Sequence, residues 1–237
     1  MTNSVRVPDF LPSTHGLPWP NSYPVGTKVF LLRTPLGVLG VPDASRGLCG
    51  GMIFTVMDLH HHGIAVIPQS PEKPVYEYIC HRLFTSWGLP FGWAKYWDWQ
   101  NRPDRTTTGL FGRTGVLELT VQTEWPKIRR LLDAGQLVAV GLVNWRGWQL
   151  TKLGLNHQVL VYGYDFDEVT KEVMLHTYDP NYPGDDTVTL RFCLNAIEQE
   201  APVRVTHSIT GPTVRGVFHT DYRPLTEPPA FAVQATA

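Results

Sequence analysis

The 237-residue sequence predicts a single α+β domain, with helices in its first half and an antiparallel β meander in its second. Apolar residues recur at helical spacing between Leu48 and Leu132. After Gly135 they give way to short runs of aliphatic and β-branched residues separated by turn-forming segments. The length suits one core, since a chain of this size buries roughly 70 to 75% of the surface it exposes when unfolded.

Residues 1–47 hold seven prolines, at 8, 12, 18, 20, 24, 35 and 42, a density that excludes a long helix and predicts an extended arm packed on the core. Within the arm, 28–34 and 36–41 read as short strands flanked by Pro and Gly. From Leu48 onward, Cys49, Met52, Ile53, Val56 and His60 fall on one helical face, and Gly63 ends that helix. A second helix is expected from Lys73 to Trp87, with Tyr76, Ile79, Cys80 and Leu83 on its stripe and Gly88 and Pro90 closing it. A third spans 123–135, with Thr123 as N-cap and Pro126 tolerated in the first turn. Strands follow at 137–143, 157–164, 172–178 and 187–192. The short polar segment 165–171 predicts a hairpin between the second and third of these, and 179–186 is a turn-rich loop. A last strand is expected within 214–222, and the tail 224–237 is expected to lack order.

Charge narrows the function. Twenty Lys and Arg against 21 Asp and Glu give a net charge of -1, so no global field attracts nucleic acid or an anionic membrane surface. The longest apolar runs reach about seven residues where a bilayer needs about 20, and no membrane-spanning helix is predicted. The opening MTNSVRVPDFLPS has no apolar run of signal-peptide length. A cytoplasmic location is the default, with export by a route that needs no cleavable leader left open. Three widely spaced cysteines fit neither a disulfide framework nor a zinc motif, and Cys80 and Cys193 read as core thiols.

Cys49 is different, because GLCGGM puts it at the start of an apolar helix after a Gly-containing loop. Unpaired N–H groups and about half a positive charge at a helix N-terminus favour a thiolate and can bind a developing oxyanion. Gly50 and Gly51 each weaken the helix by roughly 1 kcal/mol relative to Ala, a cost that close approach of another backbone or of a substrate would justify. A nucleophilic cysteine needs a base, and the base a group to orient it. His157 opens the strand NHQVLVYGY, and Asp179 ends a later strand 22 residues on. If the two strands pair as a hairpin, the start of one lies beside the end of the other, so the two side chains can meet. Asn181 is a rival orienter.

The order Cys, His, Asp, with CGGM at the helix start and NHQVLVYGYD followed by YDPN, resembles papain-like cysteine peptidases. The similarity is to the bacterial branch related to the bacteriocin-processing, double-glycine-leader peptidases, and covers about residues 44–62 and 123–192. The resemblance implies a papain-like fold, with a helical lobe led by the Cys49 helix, a β lobe bearing His157 and Asp179, and a cleft between them. It implies a cysteine peptidase or amidase acting on a peptide, amide or acyl substrate with no cofactor. Acyl transfer by the same triad and a non-catalytic binding module are the alternatives. One position departs: where papain-type enzymes carry a Gln about six residues before the cysteine as oxyanion donor, this chain has Asp43, which when ionised accepts but cannot donate. Ser45, or Asn21 from the arm, is then the expected partner of the Cys49 N–H.

His60, His61 and His62 are consecutive on a helix, where side chains point about 100° apart, so no metal site is expected and a favourable charge at the helix C-terminus is the reading instead. The aromatic cluster that includes Trp93, Trp97 and Trp145 is expected to pack in the core or to line a substrate groove.

Overall fold

The computed structural model describes residues 1–29, 31–34, 37–40, 43–86, 92–149, 154–198 and 204–234, and builds them around one curled antiparallel sheet. The chain enters as strand β1 (Thr2–Arg6), passes through one helical turn, α1 (Pro12–His15), and forms the small hairpin β2 (Leu31–Thr34) and β3 (Gly37–Gly40). Three helices follow, α2 (Cys49–His61), α3 (Lys73–Ser86) and α4 (Gly92–Gln100). A continuous helical stretch then starts with α5 (Val116–Glu118), widens into π-helical turns at Leu119–Glu124 and ends as α6 (Trp125–Asp133). Strands β4 (Val138–Val143), β5 (His157–Asp167), β6 (Glu172–Tyr178), β7 (Thr189–Cys193), β8 (Val205–His207), β9 (Gly211–Val214) and β10 (Gly216–His219) complete the sheet, and α7 (Ala230–Gln234) closes the chain.

The sheet runs β10-β4-β5-β6-β7-β8-β9, with β1 added to β5. One edge of β5 is shared end to end: β4 pairs with residues 157–161, and β1 takes 163–167. The register with β6 slips between Val161 and Gly163, where the strand bulges. Gly163 is needed there because a Cβ would press into the Val5 carbonyl and Arg6 of β1. Residues alternate across the sheet, so Ala139, Leu160, Tyr162 and Tyr178 join α2 and α3 in one core. Val138, Val140, Val159, Val161 and Leu175 join Trp125, Ile128 and Leu132 of the α6 side in another. Covering both faces explains why β4 and β5 read as almost uninterrupted apolar runs.

Helices α2 and α3 are joined by a buried ion pair, Arg82 Nε to Asp58 at 2.7 Å. The hydroxyls of Tyr78 and Tyr222 each donate to the Asp58 carboxylate at 2.8 Å, and Arg82 donates to the Arg223 carbonyl at 3.0 Å. This network draws the C-terminal segment onto the helices. His62 donates to the Leu225 carbonyl at 3.1 Å, and Ala232 of α7 is buried.

Several expectations are revised. The tail from Pro224, read as lacking order, instead carries α7, because its apolar Ala232 and Phe231 join the α2–α3 core and Phe231 packs edge-on against Tyr78. Thr123 is no N-cap. The helix already begins after Gly115, and the π turns, with Trp125 N–H donating to the Thr120 carbonyl, make room for the Pro126 ring inside a continuing helix. Helix α4 and strands β1, β8 and β9 carry no clear periodic signal. Cys80 is buried as read, whereas Cys193 is half-buried, its thiol on the Asn195 side chain at 2.6 Å and the Thr170 carbonyl at 3.3 Å. His60 packs against Phe10 and His15, and burial, with His15 beside it, holds its imidazole below the ordinary value, which disfavours the charged form expected at the helix C-terminus. Phe30, Pro35, Leu36, Val41, Pro42, Trp87, Gly88 and Pro90 lie outside the described residues, as does the side chain of Trp93.

Candidate active site

Cys49 is the first residue of α2, and among the described residues no side chain caps this helix N-terminus, so its leading N–H groups stay available to a ligand. The helix can start here because its glycines allow close packing. A Cβ on Gly51 would strike the Ile79 carbonyl of α3, and one on Gly50 would strike Gln158 and Ser86. The glycine pair therefore seats the head of α2 between α3 and the start of β5, with Cys49 half-buried beside the sheet.

His157 is the first residue of β5 and Asp179 follows the last residue of β6, so the hairpin brings them together. His157 Nε2 lies 2.7 Å from Asp179 Oδ1. Cys49 is close enough to act on the same ring, and its charge and hydrogen bonding both raise the imidazole. Burial pulls the imidazole down, but the Asp179 carboxylate and Cys49 outweigh it and hold His157 at about 10. The imidazolium therefore persists at neutral pH. Asp179 is only 2% exposed; burial opposes its charge, yet His157, His207 and the Asn181 N–H together hold its carboxyl well below the usual carboxylate range.

Asn181 is part of the site without replacing Asp179. Its backbone N–H donates to Asp179 Oδ1 at 2.8 Å, and its amide nitrogen lies 3.3 Å from His157 Nε2. Asn21 crosses over from the arm. Its N–H donates to the Pro180 carbonyl at 2.8 Å, its amide nitrogen to Asn181 Oδ1 at 3.3 Å, and its Oδ1 accepts the N–H of Leu48, the residue before Cys49. One amide thus ties the Cys49 loop to the Asp179 turn. The arm is held there by Leu17 N–H donating to the buried Tyr178 hydroxyl at 3.3 Å.

Asp43 and Ser45 belong to the turn that leads into α2. Asp43 caps the 3-10 turn Ala44–Arg46, accepting from the Ser45 N–H at 2.7 Å and the Gly26 N–H at 3.0 Å, and Ser45 is exposed. Trp97 donates to the Trp148 carbonyl at 3.3 Å, with their rings 5.5 Å apart. Trp145 is half-buried, and its backbone N–H donates at 3.4 Å to Oδ1 of Asn156, the residue before His157.

Two residues around the His157–Asp179 pair escape sequence reading. Tyr96 of α4 donates its hydroxyl to the His157 carbonyl at 3.3 Å; burial, with Cys49 close by, pushes its phenol well above the ordinary value and keeps it a neutral donor. Its only sequence signal is membership of the aromatic cluster. His207, on β8, reaches Asp179 Oδ2 at 3.1 Å and stands in no motif. Among the described residues no group of three or more His, Cys, Asp or Glu side chains is arranged to hold a metal ion. No described helix is long and apolar enough to cross a membrane.

Comparison with protein-family models, with curated proteins and with solved structures finds no match to this chain.

Proposed function

We propose that the protein is a cysteine-dependent hydrolase, a peptidase or amidase of papain-like architecture, with Cys49 as nucleophile, His157 as general acid and base, and Asp179 as orienter. The observation that carries this reading is the 2.7 Å His157–Asp179 contact on an imidazole whose other partner is Cys49 at the head of a helix. The Cys49 thiolate attacks the carbonyl carbon of an amide, forming a C–S bond and moving the carbonyl electron pair onto oxygen. We assign the oxyanion to the Cys49 N–H, with the Asn21 amide hydrogen not given to Asn181 as the second donor. His157 passes its proton to the leaving nitrogen as the C–N bond breaks, leaving a thioester. Water, deprotonated by His157, then attacks the thioester and releases the acid and the thiolate. Asp43, where papain-type enzymes carry Gln, serves as a backbone cap in this account and takes no part in the reaction.

The test is a screen with peptide and amide substrates, together with labelling by a peptidyl electrophile. Cys49→Ala should abolish both turnover and labelling while leaving the circular dichroism spectrum unchanged. Turnover retained in the folded variant would sink the proposal. Running the reaction with and without an added amine acceptor separates hydrolysis from acyl transfer.

A further inference from the structure

Asp179 is shared between two histidines. His157 takes Oδ1, and Oδ2 faces Nε2 of His207 at 3.1 Å, with His207 itself 3% exposed. His207 is the last residue of β8, and the turn into β9 folds back over its ring. The N–H groups of Ile209 and Thr210 point at His207 Nδ1, at 3.1 and 3.4 Å. A ring nitrogen that accepts from backbone N–H groups carries no proton, so the single proton of the neutral ring sits on Nε2 and is donated to Asp179. The Tyr182 ring, 5.8 Å away, packs on the imidazole. Both nitrogens of this buried side chain are therefore assigned by its surroundings, and the carboxylate accepts three donors: His157, the Asn181 N–H and His207.

We propose that His207 is a positioning residue of the Cys49 site, a backbone-locked neutral imidazole that fixes Asp179 so that its other oxygen meets His157. This rests on the reading of Cys49 and His157 as a reacting pair. Without the His207 donor, Asp179 Oδ2 is a buried oxygen with an unmet hydrogen bond, which favours rotation towards water or protonation, and either change takes the counter-charge from His157.

The experiment measures the rate of Cys49 alkylation by iodoacetamide at pH 6 and pH 9, resolved by mass spectrometry, in the wild type and in His207→Leu, His207→Gln and His157→Ala. The ratio of the two rates reads the thiolate–imidazolium pair separately from exposure, which acts at both pH values. His207→Leu should lower the ratio roughly tenfold, and His207→Gln, whose amide nitrogen can take the place of Nε2, should restore most of it. A ratio that depends on His157 but is unchanged in His207→Leu overturns the role of His207 and leaves the Cys49–His157 pair standing. A ratio indifferent to His157→Ala removes the pair itself and this proposal with it. Should the Leu variant not fold, long-range proton–nitrogen NMR of the wild type at pH 7 decides: the proton of His207 is expected on Nε2, and a proton on Nδ1 overturns the assignment.

Discussion

Replacing Asp179 by Asn keeps the side chain's size and removes the charge that keeps His157 protonated. In the wild type, burial pulls the imidazole down while Asp179 and Cys49 raise it, and the balance takes it from 6.5 to about 10. At about 1.4 kcal/mol per tenfold change, that gap favours the imidazolium by on the order of 5 kcal/mol. The folded value lies above the unfolded one, so this stabilisation is complete below pH 6.5 and is lost as the pH rises through about 10. In Asp179→Asn, burial is opposed by Cys49 alone, and His157 should titrate near or below its ordinary value. NMR titration of the His157 ring protons measures this directly. Urea unfolding at pH 6 and pH 9.5 measures its consequence: the wild type should lose stability between the two, and the variant should lose much less. Repeating the unfolding in Cys49→Ala separates the thiol's own ionisation. An imidazole that titrates near 6.5 in the wild type, or one unmoved by Asp179→Asn, refutes the electrostatic argument.

Alkylation should also sort the three cysteines: Cys49 reacts below pH 8 and loses that advantage in His157→Ala, half-buried Cys193 reacts at a rate indifferent to His157, and Cys80, 3% exposed, stays inert until the protein unfolds. Asp43→Ala should lower stability to urea by about 1 kcal/mol, the usual worth of a cap, and leave the Cys49 alkylation rate unchanged; a large fall in that rate would give Asp43 a role in the chemistry. Arg82→Met should cost about 3 to 5 kcal/mol in urea unfolding, because it strands the buried Asp58 charge with only tyrosine hydroxyls, and a change under 1 kcal/mol would show that the network holds nothing together.

The main elements of the site were legible because their determinants are local. Periodicity places α2 with Cys49 at its head, and the short polar segment 165–171 predicts the β5–β6 hairpin, whose link in the structure narrows to 168–171 and which brings His157 to Asp179. Strand pairing turns a separation of 22 residues in sequence into a 2.7 Å contact. Asn21 is a candidate partner of Cys49 on sequence grounds, although its link to Asn181 depends on how the arm docks. What remained hidden comes from long-range assembly. Helix α4 lacks a clean apolar stripe, so the placing of Tyr96 against His157 follows from packing on β4 and β10. Thr123 gave a local cap signal that buried neighbours from Val116 onward overrode. His207 lies 28 residues beyond Asp179 in a short strand with no motif, and only the β6-β7-β8 order of the sheet carries it to the carboxylate. The sequence by itself determined that Cys49 heads a helix and that His157 and Asp179 meet across a hairpin, since helix ends and hairpins are set by neighbours a few residues away. Tertiary structure alone decided which groups hold them in place, because a hydrogen bond across a sheet depends on the register of strands far apart in the chain.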